Sequence, residues 1–160
     1  MKQLQEKGAA GDAKAQYDLG NWYTLSEDHT EASLWYRKAS QQGNAKAQFS
    51  LGLKYSNGIG VPQSYAEAVR LYRQAAKQGH AMAQFFLGNV YAYGEGLPPN
   101  YADAYVWLSL AAAAQSSNGE MRNFRDQVAR LLTPAQLAVA QAMSQQCLET
   151  NYAKCDSTDH

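Results

Sequence analysis

Residues 43–78 read GNAKAQFSLGLKYSNGIGVPQSYAEAVRLYRQAAKQ, and the fold of the chain can be predicted from their pattern. The same pattern returns 36 residues later, so that Gly52 corresponds to Gly88 and Tyr55 to Tyr91. Self-similarity at a fixed period of this length is typical of supersecondary units that stack on one another. We therefore expect an array of repeats rather than a domain with one irregular core.

Each repeat is expected to be a pair of helices. The three units occupy residues 11–42, 43–78 and 79–115, and their first helices carry AKAQYDLGNWY, AKAQFSLGLKY and AMAQFFLGNVY. In the first unit Ala15, Leu19 and Tyr23 stand at i, i+4 and i+8, the spacing of one face of an amphipathic helix. The second helices carry EASLWYRKA, EAVRLYRQA and DAYVWLSLA. The first unit is four residues shorter, and the deletion falls in the connecting loop, where it shifts no packed face out of phase.

Three glycines recur inside the first helices, at positions 20, 52 and 88. Glycine costs roughly 1 kcal/mol relative to alanine in a helix interior, so its recurrence at one register needs a compensating gain. We therefore expect a neighbouring helix to approach closely at Gly20, Gly52 and Gly88.

The glycine-rich turns Gly58–Pro62 and Gly94–Pro98 are expected to be connectors between helices. A phosphate-binding loop would need a strand before it and a helix start directly after it. Here a helix precedes each turn, so the glycines end that helix and reverse the chain, with Val61 and Leu97 packed into the base of the hairpin.

Side chains that can cap a helix mark the helix starts. Candidate caps are Asp12, Asn44 and His80 for the first helices, and Asp28, Ser64 and Asn100 for the second helices. Each cap of a second helix is followed three residues later by an acid, as in a capping box. Thr133-Pro134-Ala135-Gln136 predicts one more helix start after the last repeat.

Both ends of the chain lie outside the repeats. Residues 1–10 are expected to be the stub of a preceding helix, and residues 116–149 a helical hairpin that begins with a turn at Ser116–Gly119 and caps the array. Approximately helical spacing relates Met121, Phe124, Val128, Leu131 and Leu132 in this hairpin. Residues 150–160 are a polar tail that is expected to fray from about Asn151.

Composition argues against several classes of function. Fourteen basic residues balance 14 acidic ones and form no basic run, so we expect no binding to nucleic acid. No apolar stretch reaches 18 residues, so we expect no membrane insertion. His29, His80 and His160 are scattered, no metal-ligand spacing or nucleophile elbow is present, and we expect no catalytic residue, metal or cofactor.

Cys147 and Cys155 are the two cysteines of the chain. Eight residues of continuous helix rise about 12 Å, whereas a disulfide needs Cα atoms within about 7 Å. A disulfide between them therefore requires the helix to end near Asn151 and the tail to fold back. Such a bond would indicate an oxidising compartment, and two free thiols are the alternative.

The repeats resemble the Sel1-like repeat family, a relative of the tetratricopeptide repeat. Its pattern of A-x-A-Q-[YF]-x-L-G-x-x-Y, G-x-G-V and [WL]-[YF]-x-x-A-A is matched nearly throughout residues 45–79. The third unit has Leu97 where valine is usual, the first unit lacks the G-x-G turn, and LTPAQLAVAQ resembles a closing segment of bacterial members. The resemblance implies an all-α fold, an α-solenoid of antiparallel helix pairs that acts as an adaptor or scaffold.

Resemblance to tetratricopeptide arrays also implies that the first helices line a concave groove that binds a partner. The residues carried over to this groove are Lys14, Tyr17, Asn21, Lys46, Phe49, Leu53, Met82, Phe85 and Asn89. The aromatic member of each set recurs in every unit, which fits packing as well as recognition. Phe86 is added because Asp18 and Ser50 hold the equivalent places, and an apolar residue at a polar position indicates a contact.

Our first functional hypothesis is a non-enzymatic interaction module that binds an unidentified protein segment or peptide in this groove. The alternative is a cell-envelope protein that binds or acts on cell-wall fragments or β-lactams. A structural fragment of a longer scaffold is a third possibility. The chain starts without the apolar region of a signal peptide, and the resemblance implies a periplasmic or secreted protein whose leader is absent from this chain, with a cytoplasmic location as the alternative.

Overall fold

The computed structural model describes residues 1–115 and 119–155, and in these residues it contains nine helices and no strand. The helices are α1 Lys2–Ala9, α2 Ala13–Leu25, α3 His29–Gln41, α4 Ala45–Asn57, α5 Tyr65–Ala76, α6 Ala81–Tyr93, α7 Tyr101–Ala114, α8 Gly119–Ala129 and α9 Pro134–Glu149. Of the turn expected at Ser116–Gly119, only Gly119 belongs to the described residues. The end of the expected tail, residues 156–160 with His160, also lies outside them.

The chain divides into two compact units, residues 1–75 and 76–160. In the first unit α1 packs on α2, α2 on α3 and α3 on α4. Its core contains the buried residues Ala32, Tyr36, Ala39, Ala47, Leu51 and Leu71. Half of these side chains are alanine, which lets the helix axes approach closely.

In the second unit α6 packs on α7, and α7 packs on both α8 and α9. Neighbours on several sides explain why α7 is apolar around most of its circumference, with Trp107 and Leu108 fully buried. Met121 of α8 is buried against Ala111 and Ala112 of α7. The α8–α9 hairpin therefore covers an apolar helix that would otherwise be exposed.

The predicted caps are confirmed. Backbone N–H groups three residues on donate to the caps of the first helices, Ala15 to Asp12 Oδ1 at 2.7 Å, Ala47 to Asn44 Oδ1 at 3.0 Å and Ala83 to His80 Nδ1 at 3.2 Å. Asp28, Ser64 and Asn100 accept in the same way at the second helices. Thr133 and Gln136 form a reciprocal capping box at the start of α9. Each cap satisfies a backbone donor that the helix itself leaves unpaired.

The close approach expected at the recurring glycines is also confirmed. A Cβ atom on Gly52 would lie 2.7 Å from Tyr72 Cε1, and one on Gly88 would lie 2.7 Å from Leu108 Cγ. A Cβ on Gly20 would overlap the ring of Tyr36. In each repeat the second helix thus places a large side chain in the space left by the glycine of the first helix.

The turns between the helices of a pair are connectors, as expected. Gly58 and Gly94 end α4 and α6 in the left-handed conformation, with φ of 66° and 76°. In the shorter first repeat Glu27 adopts φ of 61°, so a non-glycine residue makes the reversal there. Val61 and Leu97 are half-buried at the bases of their turns.

A glutamine that recurs at one register joins each first helix to the end of the preceding helix. Gln16 Nε2 donates to the carbonyl of Gly8 at 3.0 Å. Gln48 and Gln84 make the same bond to the residue eight positions earlier, at 3.4 and 3.2 Å. All three glutamines are buried. This role was not predicted from the sequence, although the recurrence of a polar residue inside an apolar stripe is a usable signal.

The C-terminal part differs from the sequence-based expectation in two places. Helix α8 ends at Ala129, and Leu131, which was expected on its apolar face, is 59% exposed. The expectation that the tail frays from Asn151 is wrong for residues 151–155, which contact the rest of the chain. The amide of Tyr152 donates to the carbonyl of Cys147 at 2.8 Å, and Cys155 is fully buried.

Candidate functional site

Helix α2 carries the first three candidate groove residues, Lys14, Tyr17 and Asn21. Lys14 is exposed, with its Nζ 4.0 Å from a carboxylate oxygen of Asp18. Tyr17 and Asn21 are half-buried and both contact Tyr36: the rings of Tyr17 and Tyr36 lie 5.9 Å apart, and the Tyr36 hydroxyl donates to Asn21 Oδ1 at 2.8 Å. Burial raises the pKa of Tyr36, which keeps this hydroxyl a neutral donor. Tyr17 and Asn21 therefore have packing contacts inside the unit as well as accessible surface.

Helix α4 carries Lys46, Phe49 and Leu53 at the same spacing. Lys46 is exposed, and Leu53 is half-buried. The ring of Phe49 lies 5.8 Å from that of Tyr72, in the arrangement that Tyr17 and Tyr36 have in the preceding repeat. In the first unit, the recurring aromatic residue thus contributes to the contact between the two helices of a pair.

In the second unit, aromatic side chains of α6 and α8 form a cluster that we call the aromatic patch, consisting of Phe85, Phe86, Tyr93 and Phe124. Phe85 contacts Phe86 edge to face at 6.1 Å and Phe124 at 6.2 Å. Tyr93 is 66% exposed and stacks on Phe124 with ring centroids 5.7 Å apart. The counterpart of Tyr36 and Tyr72 is Leu108, which has no ring, so Phe85 makes its ring contacts with Phe86 and Phe124.

Met82 and Asn89 flank Phe85 on α6. Met82 is half-buried against the cluster of Ala111, Ala112 and Met121. Asn89 Nδ2 donates to the carbonyl of Phe85 at 2.8 Å within the helix. Both side chains therefore have internal contacts in addition to their accessible surface.

Tyr93 and Phe124 were not among the site residues predicted from the sequence. A signal existed for Tyr93, because the equivalent residue of the second repeat is Asn57, a polar side chain. Phe124 lies outside the repeats, and only the packing of α8 within the second unit brings it to α6.

The first unit also has a polar cleft that the sequence analysis missed. It has a volume of about 480 Å³ and lies among α3, α4 and α5. Its polar and charged lining includes Arg37, Gln41, Tyr55, Glu67, Arg70 and Gln74. Position 70 is Arg in the second repeat but Leu34 and Val106 in the other two, and this difference between copies was the available signal.

Cys147 and Cys155 form a disulfide with their Cα atoms 4.6 Å apart. The loop that it closes places the ring of Tyr152 beside Gly79, at the corner between α5 and α6. No group of three or more His, Cys, Asp or Glu side chains in the described part of the chain is placed to hold a metal ion. None of the described helices has the length and apolar character needed to cross a membrane.

Antiparallel helix pairs that repeat their glycines, glutamines and caps at one register define an α-solenoid repeat protein, and the expected fold class is confirmed. The Sel1 repeat model matches residues 13–44, 45–80 and 81–116. The chain belongs to the Sel1 repeat family.

Two solved structures resemble the chain over most of its length. A protective antigen of uropathogenic Escherichia coli with an SLR fold is 34% identical with a TM-score of 0.85, over 94% of this chain and 33% of the antigen. A Sel1 repeat protein from Oxalobacter formigenes is 29% identical with a TM-score of 0.71, over 79% of this chain and 96% of that protein.

A shorter stretch of the chain is similar to the chitin synthase regulator SKT5 of Malassezia restricta. The two are 39% identical over an alignment of 56 residues, and the alignment covers 31% of this chain and 4% of the regulator. The chain therefore spans a small part of the regulator and about a third of the Escherichia coli antigen.

Proposed function

We propose that this protein is a non-enzymatic adaptor that binds a segment of another protein through residues of its first helices. Sel1 repeats generally mediate interactions between proteins, which supports the general role. The candidate groove residues of α2, α4 and α6 supply accessible aromatic, amide and lysine side chains for such a segment.

The aromatic patch carries this proposal. Large aromatic side chains dominate binding energy at protein interfaces, because each buries a large apolar area at a low entropic cost. Tyr93 is two-thirds exposed although it is stacked on Phe124. Phe86 stands where the other repeats have Asp18 and Ser50, so the third repeat has gained apolar surface that its neighbours lack. We infer that a hydrophobic side chain of the partner docks here.

The test uses 12-residue peptides selected by display against the full chain. Replacing Phe86 by Ser gives the third repeat the residue that the second has at this position, and Tyr93→Ser removes the exposed ring. Each variant is expected to weaken peptide binding at least about tenfold, the loss typical of a central aromatic contact. Isothermal titration calorimetry measures the affinity, and circular dichroism checks that the thermal midpoint changes little.

Tyr101→Ser is the matched control, because Tyr101 is 40% exposed but lies on the second helix α7. This variant should bind as the wild type does. Unchanged affinity in both Phe86→Ser and Tyr93→Ser, or an equal loss in Tyr101→Ser, would contradict the proposal.

We also propose that the protein works in an oxidising compartment. The disulfide between Cys147 and Cys155 supports this, because such bonds persist mainly outside the reducing cytosol. Alkylation of the protein from its native compartment, before and after reduction, followed by mass spectrometry, measures the state of both thiols. Two thiols that are alkylated without reduction would refute the proposed location.

A further inference from the structure

We propose that the polar cleft of the first unit binds a carboxylate group of an acidic protein segment. The cleft lies on a different face of α4 from the candidate groove residues. It is lined by Gln48, Leu51 and Tyr55, whereas the groove residues are 46, 49 and 53. The two sets are offset by two residues, which corresponds to about 200° around a helix of 3.6 residues per turn. A ligand of the cleft therefore need not touch the groove.

Arg37 supplies a positive charge to the cleft. Its Nη2 donates to the hydroxyl of Tyr55 at 3.0 Å, and no carboxylate of the described residues forms an ion pair with it. A guanidinium has five N–H donors, so one bond to a neutral hydroxyl leaves most of its donors and its whole charge for a ligand. Tyr55 holds the arginine in place at the edge of the cleft.

Arg70 already binds a carboxylate in this cleft. Its Nη2 and Nε donate to Glu67 Oε2 at 2.9 and 3.1 Å. Both partners are about half exposed, and exposed ion pairs contribute little to stability. The carboxylate of a ligand can therefore replace that of Glu67. With Arg37, Arg70 and Glu67 counted together, the cleft carries one net positive charge, which favours an acidic partner.

The remaining groups favour a protein segment over a small acid. Gln41 is exposed, and its carboxamide has no hydrogen-bond partner among the described residues. A carboxamide offers one acceptor and two donors, which suit the C=O and N–H groups of a peptide backbone. The volume of about 480 Å³ is that of a ligand pocket, and its exposed lining side chains leave room for a chain to continue past it.

The experiment titrates the full chain with a fluorescein-labelled heptapeptide of alternating glycine and glutamate, and follows binding by fluorescence anisotropy. Arg37→Gln and Arg70→Gln are each expected to weaken binding about tenfold, the usual effect of losing a charge-assisted hydrogen bond. Glu67→Gln should strengthen binding about twofold, because it removes the competing carboxylate. Lys38→Gln is the control: it loses the same charge in the same unit, but Lys38 lies over the ring of Trp35 and does not line the cleft.

Binding that is lost in the two arginine variants and kept in Lys38→Gln supports the proposal. Equal binding of a peptide with glutamine in place of glutamate would overturn it. So would wild-type affinity in Arg37→Gln and Arg70→Gln, since both side chains are exposed and these variants should fold. Free glutarate that binds as tightly as the peptide would contradict the assignment to a protein segment. None of these outcomes depends on Phe86 or Tyr93, so the result is separable from that of the groove experiment.

Discussion

The buried glutamine that recurs in the repeats can be replaced by methionine in two separate variants with different expected results. Gln16→Met in the first repeat should destabilise the protein, whereas Gln84→Met in the third repeat should leave it as stable as before or make it more stable. Gln16 uses both ends of its carboxamide: Nε2 donates to the carbonyl of Gly8 at 3.0 Å, and Oε1 accepts from Gln42 Nε2 at 2.7 Å. Each bond contributes about 1 kcal/mol net. Methionine fills nearly the same volume and leaves little cavity. The free energy of unfolding should therefore fall by about 2 kcal/mol in Gln16→Met.

Gln84 is in a different environment although it has the same place in the repeat. Its Nε2 donates to the carbonyl of Ala76 at 3.2 Å, whereas its Oε1 is buried with no hydrogen-bond partner among the described residues. Such an orphaned acceptor costs about 1–3 kcal/mol, and methionine removes that cost while it loses one bond of about 1 kcal/mol. The free energy of unfolding of Gln84→Met should therefore equal that of the wild type or exceed it by up to about 2 kcal/mol.

Urea unfolding followed by far-UV circular dichroism measures both variants against the wild type. An unchanged m-value would show that the difference lies in the folded state and not in the compactness of the unfolded chain. Both predicted changes leave out the gain from burying the apolar methionine side chain, because this gain is common to the two variants and cancels in their comparison. A loss of stability in Gln84→Met as large as that in Gln16→Met would refute this account of the glutamines.

Two further variants test packing and buried charge. Gly88→Ala gains about 1 kcal/mol of helix propensity but places a Cβ 2.7 Å from Leu108 Cγ. Because overpacking costs about 1–3 kcal/mol, calorimetry should show a lower thermal midpoint than that of the wild type. In Gly119→Ala no non-neighbouring residue of the described chain comes within 4 Å of the new Cβ, so the midpoint should not fall. Equal losses in the two variants would contradict the packing argument. Burial lowers the pKa of Lys54, whose Nζ lies 3.1 Å from His29 Nδ1. The unfolded state then binds more protons between the lowered pKa and the ordinary value of 10.5, so the free energy of unfolding rises with pH in that window. Urea titrations at pH 8 and pH 10 should show a smaller rise for Lys54→Met; an equal rise would exclude Lys54 as its source.

Much of the fold could be predicted because its determinants are local or repeat. A cap such as Asn44 acts on an amide three residues away, so a short window of sequence contains both partners. Gly52 and Gly88 indicated close helix packing because glycine lowers helix stability, and its recurrence at one register implies that the same packing contact offsets this loss in each repeat. The end of the chain was harder: the two cysteines were compatible with a disulfide or with free thiols, and the choice depended on whether the chain reverses after α9.

The candidate surfaces could be predicted only in part. Phe86 stood out because it differs from Asp18 and Ser50, but its neighbour Phe124 belongs to a helix outside the repeats. Arg37 and Arg70 lie on different helices of different repeats, and nothing in the pattern of either helix indicates that they share a cleft.

The repeat period, the pairing of helices, their caps and the glycines at which they meet could be predicted from the residues alone, because these features depend on spacing along one chain segment. The folded structure was needed to show which residues of separate segments share a surface. The polar cleft needs three helices, and the aromatic patch needs α8 to pack beside α6. Such contacts depend on the angles and offsets at which helices pack, and side chains anywhere along both helices set these together.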